Sequence, residues 1–198
     1  MAIVGLEKLY YAKLTADGVS GVTYDTPIYL EGVKEISISP KVSTVKAYAE
    51  NRAWAQITSF DDVEVSIDLI DLTNAQRADL LGSDLAEEGG VISRVGDTAP
   101  YIALLYVANT SDGGKQYGIL FKGKMELPED SAKGQEGTVS FQSFSMKASF
   151  MPLRYNGMWK YQVSDKDPDC PADIQTKFFE QVIIPTQKIV ENGEQEQG

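Results

Sequence analysis

Histidine is absent from all 198 residues. That removes the commonest general base and the commonest metal ligand at neutral pH. A single cysteine, Cys170, excludes an intrachain disulfide framework. With no histidine to take its proton, it cannot form a Cys–His nucleophile within the chain, and a plain surface thiol is expected. Bases are scarce: 18 Lys and Arg stand against 29 Asp and Glu, a net charge of −11. This opposes tight binding to nucleic-acid phosphates, but not a surface that nucleic acid slides past. Uncharged apolar runs such as 101–108 are too short to span a bilayer, so no membrane anchor is expected. The opening Met1-Ala2-Ile3-Val4-Gly5 lacks the basic flank and apolar stretch of a signal peptide. Synthesis and assembly in a cytoplasm are therefore expected. No solenoid-type repeat recurs.

The chain does have enough apolar residues, 42 %, to build a core. They fall into short alternating segments separated by Gly, Asp and Pro, a pattern that predicts an all-β domain. Strands are expected over 6–14, 28–39, 63–70, 101–108, 116–126, 138–150 and 158–163. In 63–70, Val63, Val65, Ile67 and Leu69 alternate with Glu64, Ser66 and Asp68, so one face is buried and the other wet and acidic. The 101–108 run is apolar on both faces and should lie between two layers. Residues 109–114, Asn-Thr-Ser-Asp-Gly-Gly, read as a hairpin turn. Apolar parity shifts between Phe141 and Phe144, predicting a bulge near Gln142-Ser143. One helix is well marked: Thr73 with Gln76 forms a capping box, Ala75 to Leu81 propagates it, and Gly82 ends it. A second, weaker helix is expected over 172–182. Residues 40–59 are expected as a long inter-strand loop, yet they carry Val42, Val45, Tyr48, Trp54 and Ile57, unlike a disordered segment.

Several groupings suggest chemistry and are weaker on inspection. Asp165-Lys166-Asp167-Pro168-Asp169 opens like a calcium loop, but Cys170 stands where Gly is needed and Thr176 where a bidentate Glu is needed. A solvated acidic turn is the simpler reading, with no metal and no cofactor. In Asp61-Asp62-Val63-Glu64, strand alternation lets only Asp62 and Glu64 cooperate as a glycosidase pair. Trp54, Trp159 and the ten tyrosines would suit a sugar platform, though aromatics on strands more often serve cores and interfaces.

Two stretches resemble the major tail (tail-tube) protein family of bacteriophages with long, non-contractile tails. One is Ala49-Glu50-Asn51-Arg52-Ala53, then 63–69 (Val-Glu-Val-Ser-Ile-Asp-Leu) and the helix ending Leu80-Leu81-Gly82. The other is 99–104 (Ala-Pro-Tyr-Ile-Ala-Leu), then 118–124, Pro128-Glu129-Asp130 and Phe141-Gln142-Ser143. The resemblance covers roughly residues 5–163 and rests on order and spacing rather than on one diagnostic motif. It implies a mainly β, β-sandwich or barrel-like subunit with one flanking helix. It also implies hexameric rings, stacked into a hollow tube that conducts double-stranded DNA during ejection without binding it specifically. Expected partners are further copies of the chain and other tail proteins. The expected setting is the virion tail, assembled in the host bacterial cytoplasm.

On this view the chain is a structural protein and not an enzyme. Residues 1–163 form the tail-tube domain and 164–198 an acidic extension, partly helical and then flexible. Strand parity assigns Glu35, Ser37, Ser39, Glu64, Ser66, Asp68, Ser145, Lys147 and Ser149 to the bore. The inter-ring loop is assigned Val42, Val45, Tyr48, Glu50, Asn51, Arg52, Trp54 and Ile57, with Trp54 as anchor. The rival readings are a carbohydrate-binding or adhesion module of a phage tail, and a glycosidase.

Overall fold

The computed structural model of the chain describes residues 2–49, 52–128 and 143–187, with backbone alone at 47–49, 52–55 and 144. In chain order the elements are β1 (Ile3–Gly18), β2 (Gly21–Tyr24), β3 (Ile28–Leu30), β4 (Val33–Ala49), β5 (Arg52–Leu69), α1 (Asn74–Leu81), β6 (Asp84–Leu85), β7 (Val91–Ile92), β8 (Ile102–Thr110), β9 (Lys115–Met125), β10 (Phe144–Phe150), β11 (Lys160–Ser164) and α2 (Ile174–Lys177). The protein is mainly β, as expected. All strands except β6 and β7 belong to one antiparallel sheet in the order β2-β1-β8-β9-β10-β5-β4, with β3 also on β1 and β11 also on β9.

The sheet has an apolar layer on each face. Along β8, Ile102, Leu104 and Tyr106 enter one cluster while Ala103, Leu105 and Val107 enter the other. This is the two-sided burial that the unbroken apolar run requires. In the first cluster Leu9 and Tyr11 of β1 meet Val65 and Ile67 of β5, although three strands separate β1 from β5 in the sheet. The sheet therefore curls around this core in a barrel-like way, and Leu80 and Leu81 of α1 pack into it. Each large side chain buried there contributes roughly 1.5–3 kcal/mol. The second cluster is covered by the chain's C-terminal part: Ile174 and Phe178 are buried, and Phe179, Val182, Ile183 and Ile184 pack beside them. The segment after residue 163 thus supplies one cover of the sheet. Residues 188–198, where the flexible end was expected, lie outside the described residues.

Close approach explains two glycines in β9. A Cβ at Gly118 would fall 2.2 Å from the Tyr106 ring, and one at Gly123 would fall 2.6 Å from the Phe150 ring. Both rings lie across the neighbouring strand and are buried, so neither can swing away. Gly118→Ala should destabilise the fold by roughly 1–3 kcal/mol. The thermal midpoint should then fall by about 2–4 °C per kcal/mol. An unchanged melting curve would show that Tyr106 can be displaced at no cost.

The local signals around α1 hold. Thr73 Oγ1 accepts from the Gln76 amide at 3.2 Å, Gln76 reaches back to the Thr73 amide at 3.3 Å, and Gly82 ends the helix with φ 70°. Other expectations are corrected. The 28–39 strand is broken by the turn at Glu31-Gly32, where Gly32 takes φ 73°. The second helix is a single turn, because Asp173 gives no side-chain cap. Residues 138–142 and the Gln142 side of the expected bulge lie outside the described residues.

The main correction concerns 40–59. It is not a loop. β4 and β5 stay paired from Val33↔Leu69 to Ala49↔Arg52. The ladder runs past the sheet as a two-stranded arm. Between Pro40↔Val63 and Val42↔Phe60 the register shifts, β5 taking one residue more than β4. That bulge turns Phe60 back towards the core, where it stacks on Trp159 with ring centroids 5.6 Å apart. Pro40 is tolerated because β5 is the only partner of β4 among the described residues, so its missing N–H falls on an edge strand.

Candidate functional site

Strand register brings the nine residues assigned to a bore onto one face. Across β4, β5 and β10 they form three cross-strand rows: Glu35–Asp68–Ser145, Ser37–Ser66–Lys147 and Ser39–Glu64–Ser149. At ordinary sheet spacings this is a patch of roughly 10 by 14 Å. Its opposite side is the buried face of Val63, Val65, Ile67 and Leu69 with Met146, Ala148 and Phe150. All nine are exposed or half-buried. The wall carries three carboxylates and one ammonium.

Hydrogen bonds order the wall. Ser66 Oγ and Ser145 Oγ are 3.0 Å apart, and Ser149 Oγ donates to Asp62 Oδ2 at 3.1 Å. Lys41 Nζ lies 2.8 Å from Glu64 Oε2, and Lys147 Nζ lies 4.0 Å from Glu64 Oε1. The hydrogen bond from Lys41, then its charge, hold the Glu64 carboxyl below the usual carboxylate range. Lys41 is correspondingly raised, by Glu64 first and Asp62 after it. Both groups are solvated, so the pair orders the surface more than it stabilises it. Lys41 was missed in the sequence because it falls in the stretch read as loop; only the bulge places it beside Glu64.

The same contacts bear on the Asp62–Glu64 pair. Glycoside hydrolysis needs one carboxyl raised to act as an acid, whereas Glu64 is lowered and Asp62 is engaged by Ser149. Around Asp165–Asp169, Asp167 Oδ2 accepts from the Ser164 amide at 2.9 Å, closing an acidic turn. Among the described residues no three His, Cys, Asp or Glu side chains are grouped to hold a metal. Burial, then Asp165 and Asp167, push the Cys170 thiol up. The aromatics of the sugar-platform reading are partly engaged with one another: Trp159 stacks on Phe60, and Tyr10 packs on Tyr29 and Phe179.

Beside the wall stands the arm. Val42, Val45 and Ile57 are 59 %, 69 % and 71 % exposed, and Val45 faces Ile57 across the ladder. Glu50 and Asn51 lie outside the described residues, as do the side chains of Tyr48, Arg52 and Trp54. No helix among the described residues is long and apolar enough to cross a membrane. The chain matches no family model and no curated protein.

Proposed function

We propose that the chain is the structural subunit of a tail tube of the long, non-contractile phage type. It assembles as hexameric rings that stack into a conduit for double-stranded DNA, within a virion tail built in the host bacterial cytoplasm. The observation that carries this reading is the arm: a ribbon two strands wide has no interior of its own, yet this one exposes three large aliphatic side chains. Soluble monomers rarely leave such a surface uncovered unless it serves an interaction. Two further features agree. The outer edge of β4 is unpaired among the described residues, and open edges call for pairing or protection. The wall on β4, β5 and β10 is polar with an acidic excess. Duplex DNA carries roughly one negative charge per 1.7 Å, so a bore lined this way repels it weakly and lets it pass.

Two measurements test the reading. Negative-stain microscopy of the concentrated, purified chain should show rings or hollow tubes; a chain that stays monomeric at millimolar concentration overturns it. For the bore, phage carrying Glu64→Lys with Asp68→Lys should assemble tails of normal length and number but release DNA several-fold more slowly. The added ammonium groups would hold phosphates by counterion release, so the delay should shrink as salt rises. Unchanged release would move this wall to the outside of the tube.

A further inference from the structure

A cavity of about 420 Å³ lies between β4 on one side and β8 and β11 on the other, with the start of β1 along its flank. Ile36 and Ile38 line it from β4, and Ile3 and Leu6 from β1. The register decides which side chains of β11 share it. Tyr161 and Val163 pack into the second cluster, whereas Lys160 pairs with Leu120 and Gln162 with Gly118. Residues directly opposite each other share a face, and Leu120 belongs to the first cluster. Lys160 and Gln162 therefore stand on the first-cluster side, where the cavity is. Tyr106 also pairs with Gly118, and its ring lies across that glycine. This carries the Tyr106 hydroxyl over β9, towards β11.

Two polar groups in the cavity lack a counterpart. Lys160 is half-buried, and burial alone acts on it, pushing its ammonium below the ordinary range. Tyr106 is 4 % exposed, and burial alone pushes its phenol up. Among the described residues no side chain forms an ion pair or hydrogen bond with either group. Glu35 touches the cavity, but its pairing with Asp68 sets its carboxylate on the polar wall, opposite Ile36. Lys34, which is exposed, adds a second ammonium. Withdrawing a charge from water is costly unless a partner of opposite sign meets it. An apolar hollow of this size with a few convergent polar groups has the form of a small-molecule site. A benzene ring needs roughly 150 Å³, so the apolar part of a ligand could equal two or three such rings.

We propose that this cavity binds a small amphipathic carboxylate. Its apolar body lies against Leu6, Ile36 and Ile38, and its two oxygens accept from the Lys160 ammonium and the Tyr106 hydroxyl. One half-buried cation and one neutral donor match a monoanion; a dianionic phosphate would leave a charge without compensation. The site is complete within one subunit and does not rest on the tube reading.

Titration calorimetry with decanoate tests it. One molecule should bind per chain in the micromolar range, and decanol, which has the same tail and no charge, should bind more weakly. Lys160→Met should weaken decanoate at least tenfold, the weight of one charge-assisted hydrogen bond, and leave decanol unchanged. Unchanged decanol binding also shows that the variant has folded with its cavity intact. Tyr106→Phe should weaken decanoate several-fold. Absence of decanoate binding at millimolar concentration, or equal binding by the parent chain and Lys160→Met, overturns the proposal. If decanoate does not bind and Lys160→Met prevents assembly, the ammonium serves a contact between copies instead, and the ligand site falls.

Discussion

A chain in which residues 44–56 are replaced by a short Gly-Ser bridge is expected to fold, stay soluble and form no tubes. The reason lies in where the arm's apolar residues are. None of Val42, Val45 and Ile57 belongs to either core cluster, and all are more than half exposed. The cut leaves Phe60 and its stacking partner Trp159 in place, and it leaves the rungs from Val33↔Leu69 to Ser43↔Ser59. The subunit's own stability should therefore change little. Assembly should change greatly, since the cut removes Val45 and the strand partner that holds Ile57 in the ladder, and each such side chain buried against a neighbour would contribute roughly 1.5–3 kcal/mol before the cost of association. Circular dichroism melting and negative-stain microscopy of the same sample separate the outcomes. Normal tubes would show that the arm is not the stacking element. An insoluble product would show that it belongs to the subunit's own core.

Asp17→Ala should have the largest effect on the subunit's stability. Asp17 Oδ2 lies 2.7 Å from Lys122 Nζ and accepts from the Arg154 amide at 3.0 Å, while Oδ1 accepts from the Tyr155 amide at 3.1 Å. The Asp17 and Lys122 side chains are only 6 % and 15 % exposed. One carboxylate thus joins the end of β1, the middle of β9 and the turn after β10. Removing it leaves a nearly buried ammonium and two amides without their partner, a loss of about 3–5 kcal/mol. Burial works to raise the Asp17 carboxyl, but Lys122 and the two amides outweigh it and hold the carboxyl below its ordinary value. The sign follows from linkage. A depressed folded value stabilises the protein above the unfolded value, near 3.8, and that contribution is lost as pH falls through the folded value. Urea unfolding should therefore show a large gap between the parent chain and Asp17→Ala at about pH 7, narrowing as pH falls below the unfolded value of 3.8. A gap that stays constant over that range would mean the charge is not what stabilises the cradle.

What could be read from the sequence was what near neighbours decide. Strand alternation put Glu64, Ser66 and Asp68 opposite Val63, Val65 and Ile67, because successive side chains point to opposite faces. Thr73, Gln76 and Gly82 bounded α1 because capping is settled within one turn. The unbroken 101–108 run announced two buried faces. The wall was legible as three separate polar stripes, but only the pairing of 63–69 with both 33–40 and 144–150 laid them side by side. The arm was misread because its apolar residues face no core, so the usual inside-outside alternation is missing; cross-strand hydrogen bonds alone define it. Asp17 and Lys122 are 105 residues apart, and Ile36 comes to share a cavity with Lys160 only through the curling of the sheet. Local preference depends on a few adjacent dihedral angles and side chains. Pairing, burial and charge compensation depend on residues brought together only when the chain has closed on itself, and that was left to the tertiary structure.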